Sequence, residues 1–385
     1  MNKADLFWST YLNLEDELIK LSRIIHFTDY NRKINRETRR EQEVDNNHQM
    51  EVFSSHIADL LIKCCVEIEA ISKELYFANG GTKQRGSTDI YFDTDCIDLL
   101  VERWKIDDKN VLVSSPMFDF KKEENKILKP LHKANERSKA YWAKCYQAVK
   151  HDRFNSLYLG NAKALLGAMA ALYLLNIYFR DVKITIKYSE LSKVDMSFGS
   201  RVFSLTKPKE KHLTDVINGE TPETPLTSDE CPLILKYSDQ SYKSMLIARN
   251  ETNNKRHEFF KTQPELQDPD FIKICLEKNK KDEQFTLVDL FVYRINKRIP
   301  SNLPYETKKV LLLSSPEWEL ANSSSIKYQE KDINEGNIQE KIQSVGTIAG
   351  YKVEASFINP LLNKGFNDSY CEIVIDNGDI KYPTD

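Results

Sequence analysis

The chain has 385 residues, 41% hydrophobic and 29% charged, with 12 Gly and 13 Pro. That length is too great for one small core and argues for two domains, and the composition is that of an ordinary globular protein rather than a low-complexity or fibrous one. A net charge of −3 excludes a global attraction to nucleic acid or anionic membrane, so any RNA or DNA contact must come from a local patch.

Met1–Trp8 lacks the long apolar core of a signal peptide. Leu12 to Phe27 reads as a helix with Leu14, Leu18, Leu21 and Ile25 on one side. Residues 28–48 break that pattern with mixed charges, Arg32 to Arg40 interleaved with Glu37, Glu41 and Glu43, and read as a solvated loop or helix face. Glu51 to Tyr76 is the clearest amphipathic helix, its stripe running from Phe53 through Ile57, Leu60, Cys64, Ile68 and Ile71 to Leu75. His56, Lys63, Glu67 and Glu74 form a polar column along one edge. That column is either a solvated flank with Lys63 paired to Glu67, or the wall of a cleft.

Asp95 to Trp104 reads as a short helix, Val111 to Pro116 as an extended segment and Lys121 to Lys133 as a charged connection. Glu136 to His151 is again helical, with Tyr141, Trp142, Cys145 and Val149 on one side and Arg137, Lys144, Gln147 and His151 on the other. Ala164 to Phe179 is apolar all round. It is shorter than the roughly 20 residues a bilayer needs, so it is expected at the centre of a bundle and not in a membrane.

From Val182 the period changes to two: Val182, Ile184, Ile186 and Tyr188 alternate with polar residues as in a half-buried strand, and Val202–Leu205 is a possible partner. Thr206 to Pro232, with four Pro, reads as a linker. Beyond it, Leu233–Tyr237, Val310–Leu313 and Glu372–Ile375 look like strands, and Ser241–Lys261 and Pro269–Glu277 look like helices. Thr286–Ile299 fits either state. The seven Cys show no CxxC and no zinc spacing with His, which favours reduced thiols and a cytoplasmic protein.

Chemistry concentrates in Trp142–Arg153, where an aromatic helix runs into a polar cluster carrying His151, Lys150 and Arg153. Such a cluster can bind phosphate, can move protons in RNA cleavage, or can simply solubilise a helix end with Asp152 paired to Arg153. Elsewhere the signals are weak. No GxxxxGK[ST], GxGxxG, GxSxG or HExxH is present. His26, His48, His132, His212 and His257 lack partners at ligand spacing, and Glu306-Thr-Lys308 downstream of Asp289 is an isolated acid-x-Lys. Asn253–His257 reads as a solvated basic helix face.

Gln147 stands four residues before His151, the following helix is apolar, and a long helix carries Glu67. In these respects the first 182 residues resemble the HEPN superfamily, helical bundles many of whose members are metal-independent RNases of toxin–antitoxin and anti-phage systems. Their motif is Arg, a polar residue, three variable positions and His. Gln147 and His151 match its last two fixed positions, and Tyr146 stands where the Arg would be. The resemblance implies catalysis by His151 with Gln147, Lys150 and Arg153, substrate contacts from Tyr146, Lys144 and Glu67, no cofactor or metal, RNA as substrate and a homodimer through the helical domain. The same resemblance also fits a non-catalytic dimerisation, nucleotide-binding or partner-binding role. The expected architecture is α+β: a HEPN-like helical domain at 1–182, strands and a Pro-rich linker at 183–230, and a mixed α/β domain at 231–385 that is a possible protein-partner site.

Overall fold

A computed structural model describes residues 2–34, 41–45, 47–82, 90–133, 140–208, 230–281, 285–323 and 329–377. The chain is α+β, predominantly helical with small sheets. It divides into two compact units, one of residues 1–215, 221–239 and 370–385, the other of 216–220 and 240–369.

In the first unit, α1 (Lys3–Ser22) begins where the Asn2 side chain accepts from Asp5 N, and it buries Tyr11, Leu14, Leu18, Ile19 and Leu21. Helix α2 (Ser55–Ala78) is capped by Ser54 and buries the predicted stripe from Ile57 to Leu75. Short α3 (Ile97–Trp104) and α4 (Glu123–Lys126) follow, then α5 (Tyr141–His151), α6 (Arg153–Ser156) and α7 (Ala162–Phe179). Helix α7 alone among the described residues is long and apolar enough to cross a membrane, and 83% of it is buried inside the fold. It packs on α1, α2 and α5, the arrangement an all-round apolar helix requires. At Gly160, just before α7, a Cβ would stand 2.8 Å from the Ala58 side chain, so only glycine lets that turn approach α2 so closely.

Strands decorate this helical core. β1 (Phe27–Thr28) pairs in parallel with β5 (Phe118–Asp119), and β2 (Tyr30–Ile34) forms an antiparallel ribbon with β3 (Glu41–Asp45). β4 (Val111–Val113) lies between β6 (Ile127–Leu128) and β8 (Phe203–Ser204). β7 (Lys183–Lys187) and β9 (Leu233–Tyr237) both flank β10 (Tyr370–Ile375), antiparallel on each side.

Several expectations are corrected. Residues 28–48 include a two-stranded ribbon in place of a loop or helix face; backbone pairing sets Arg32 opposite Glu43, so mixed charge suits a ribbon as well as a loop. The front segment is therefore not all helix. Val202–Leu205 joins β4 and not β7, whose partner lies at the far end of the chain. Most of the expected linker, 209–229, lies outside the described residues.

Two buried polar groups fasten this unit. Glu15, with no exposed surface, accepts from Tyr11 (2.7 Å), from the Ser200 hydroxyl and from the backbone N–H groups of Arg201 and Val202. Lys109 donates to Asp376 at 2.7 Å and to the Cys231 carbonyl at 3.2 Å, with both charged side chains buried.

In the second unit, α8 (Asp239–Lys261), α9 (Pro269–Asn279), α10 (Leu287–Arg298), α11 (Tyr305–Leu313), α12 (Pro316–Ala321) and α13 (Ile338–Asn363) are helices, and no strand occurs among its described residues. The mixed α/β character expected of 231–385 thus resolves into a helical stretch bracketed by β9 and β10, which belong to the other unit. Val310–Leu313 is the end of α11 and not a strand: a four-residue apolar run carries no period, and Leu312 is buried against Ile295 and Ile342. Thr286–Ile299 settles as helix because Thr286 and Asp289 form a reciprocal capping box. Helix α13 packs closely on α10 through Gly346 and Gly350.

Candidate functional site

The C-terminal turn of α5 presents the candidate site. Trp142, Cys145, Tyr146 and Val149 are buried against α2 and α7, which turns Lys144, Lys150 and His151 outward. His151 Nε2 lies 3.2 Å from Gln147 Oε1, one turn earlier on the same face. In the tautomer that carries its proton on Nε2, that nitrogen donates to the Gln147 amide oxygen and Nδ1 holds the lone pair.

Asp152 ends α5 and starts α6, its carboxylate accepting from Asn155 N at 3.2 Å and Asn155 Nδ2 at 2.8 Å. Those hydrogen bonds hold its carboxyl below the ordinary aspartate range. Asp152 is therefore engaged locally and does not pair with Arg153. Arg153 instead reaches α2, donating to Asp59 Oδ1 at 2.6 Å and to the Ser55 carbonyl at 3.2 Å. The Lys150 ammonium stands 5.3 Å above the ring of Tyr146.

The structure brings Gln147 and His151 into contact, while Lys150 stands over Tyr146 and Arg153 turns to Asp59 on α2. It does not bring Tyr146 to the surface: the residue in the Arg position is 2% exposed and serves as a floor beneath Lys150. Lys144 is exposed two turns before His151. Glu67 lies eight residues beyond Asp59 on α2, about 12 Å along the axis. It is half-buried, its burial raises its pKa, and it makes no ion pair with Lys63.

Two aromatic neighbours escaped the sequence reading. Phe154 is 94% exposed and Tyr158 is 57% exposed, directly after the basic cluster. An aromatic ring so open beside cationic groups offers a stacking surface for a base. Its signal in the sequence is only a Phe among polar residues, which exposure alone makes informative. Asp59 also escaped, since nothing local ties it to Arg153. Among the described residues no three His, Cys, Asp or Glu side chains converge as metal ligands.

No protein-family model, curated protein or solved structure matches the chain.

Proposed function

We propose that the helical front of this chain is a HEPN-like domain that cleaves single-stranded RNA without a metal, working in the cytoplasm as a homodimeric effector of the toxin or anti-phage kind. The observation carrying this reading is the Gln147–His151 pair on one exposed helix face, with Lys150 and Arg153 within two residues of His151 in the chain. Nδ1 of His151 takes the proton of a ribose 2′-OH, whose oxygen attacks the adjacent phosphorus. The 5′-oxygen leaves with a proton from a second acid, which a dimer supplies as the partner copy's imidazolium, and a 2′,3′-cyclic phosphate remains. Lys150 and Arg153 offset charge on the phosphate, and Gln147 fixes the ring through Nε2.

The test is cleavage of single-stranded RNA in EDTA by the wild type and by His151→Ala. Loss of about 100-fold or more in rate, with cyclic-phosphate ends on the wild-type products, is expected. Equal rates in the two proteins remove His151 from the chemistry.

A second reading is favoured by a separate observation. Tyr146 is buried where the family's Arg belongs, and Arg153 is held by Asp59, so Lys150 is the nearest cation without a carboxylate partner. In that reading the domain dimerises or holds a nucleotide or a protein, and the segment from 231 onward contacts the partner. Absence of cleavage by either protein, together with a stable co-purifying partner and no RNA, selects it.

A further inference from the structure

At the opposite end of α5 lies a cavity of about 240 Å³ that the RNA reading does not use. Its buried wall is Met50, Pro130, Trp142 and Leu166, and Lys129, His132 and Lys163 reach it from exposed positions, against a single acid, Glu124. We propose that this cavity binds a small aromatic ring carrying one anionic group.

Volume sets the size of the ring. A dry cavity of about 150 Å³ holds benzene, so the additional space here accommodates one substituent or a fused second ring. The wall is preorganised for a flat apolar body. The Trp142 indole N–H donates to the Pro130 carbonyl at 2.7 Å, which fixes the ring that forms one side, and Tyr141 Oη accepts from Asn161 at 3.0 Å. The cations set the sign. Lys163 Nζ stands 5.5 Å from the centre of the Tyr141 ring at the rim. Lys129 is 3.3 Å from Glu230 in an exposed pair of the kind that contributes little, so a bound anion displaces that contact at small cost. Ten residues of helix separate Tyr141 from His151, about 15 Å, so this site stands or falls independently of the cleavage chemistry.

The experiment uses the full chain and ligand-observed NMR with three probes: indole-3-carboxylate, its neutral carboxamide, and adenosine 5′-monophosphate. Indole-3-carboxylate should bind with a Kd of about 1 mM or tighter, and the carboxamide at least about fivefold more weakly. The Lys129→Gln/Lys163→Gln double variant should lose that preference while keeping the carboxamide affinity. Ala140→Phe, which places a ring in the cavity, should abolish binding of both, and His151→Ala should leave both unchanged. Competition by the nucleotide assigns the natural ligand to the nucleotides, and its failure to compete assigns it to the aromatic carboxylic acids. The proposal is overturned by no saturable binding up to 2 mM of any probe (roughly twice the expected Kd), or by equal affinity for carboxylate and carboxamide. If Ala140→Phe does not fold, the lysine pair, both exposed, carries the test alone.

Discussion

Replacing Asp376 with Ala removes the carboxylate from a lysine that has nowhere else to place its charge. Lys109 is 1% exposed and Asp376 3%, and after the substitution the ammonium retains only the Cys231 carbonyl at 3.2 Å. Breaking a buried pair from one side costs about 3–5 kcal/mol, because the surviving ion stays desolvated and uncompensated. At about 2–4 °C per kcal/mol for a domain of this size, the first unit should melt roughly 6–20 °C lower. Replacing both partners with apolar residues of similar volume, Lys109→Met with Asp376→Leu, should recover most of that loss, giving a coupling energy of at least about 2 kcal/mol. The assay is urea unfolding followed by tryptophan fluorescence in a Trp318→Phe background, so that Trp8, Trp104 and Trp142 report the first unit alone. A single-variant cost below about 1 kcal/mol, or a double variant as unstable as the sum of the singles, would refute the reasoning.

Gly350→Ala should destabilise the helical unit by up to about 2 kcal/mol, although alanine is the better helix former by about 1 kcal/mol. Its Cβ would meet Val288 Cα at 2.5 Å, and overpacking against a backbone costs about 1–3 kcal/mol; denaturant unfolding of the variant reads the sign. Asp59→Asn releases Arg153 from its carboxylate partner and, on the RNA reading, should tighten binding of a short single-stranded RNA by a few-fold in a fluorescence-anisotropy titration, whereas unchanged or weaker binding removes Arg153 from the phosphate path. Lys297, hydrogen-bonded to Asp268, holds that carboxyl below the usual range. A depressed pKa means the folded state binds fewer protons than the unfolded one, so its stabilising contribution is present above the ordinary Asp range and is lost as pH falls through the lowered value. Asp268→Asn should therefore flatten the acid limb of the stability–pH curve, and an unaltered limb counts against the linkage.

The sequence was readable where a period of three and four ran long. The stripe of α2 and the uniformly apolar α7 followed from side-chain spacing, as did the alternation in β7, whereas the first helix runs Lys3–Ser22 in place of the expected Leu12–Phe27, with Phe27 in β1. Short apolar runs were not readable, and Val310–Leu313 shows why: four residues complete neither period, and the core around Leu312 decides. The ladders of β10 were hidden for another reason, since Tyr370 pairs with Lys187 and no local pattern encodes a partner so remote. At the candidate site, the one-turn spacing of Gln147 and His151 was visible. The hold of Asp59 on Arg153 was not, because the packing of α5 on α2 creates it, and the cavity beside Trp142 depends on a wall assembled from four separate segments.

The strand order β7–β10–β9 has a temporal consequence. During synthesis the two outer strands leave the ribosome with an empty lane between them, and the whole helical stretch 240–369 is translated before the filler strand arrives. The front unit must wait, its edges open, until Ile375 at the end of β10 has been made. A stalled or prematurely terminated translation product therefore leaves two unmated strand edges, one of them the apolar β9, the kind of intermediate that chaperones capture and that otherwise aggregates.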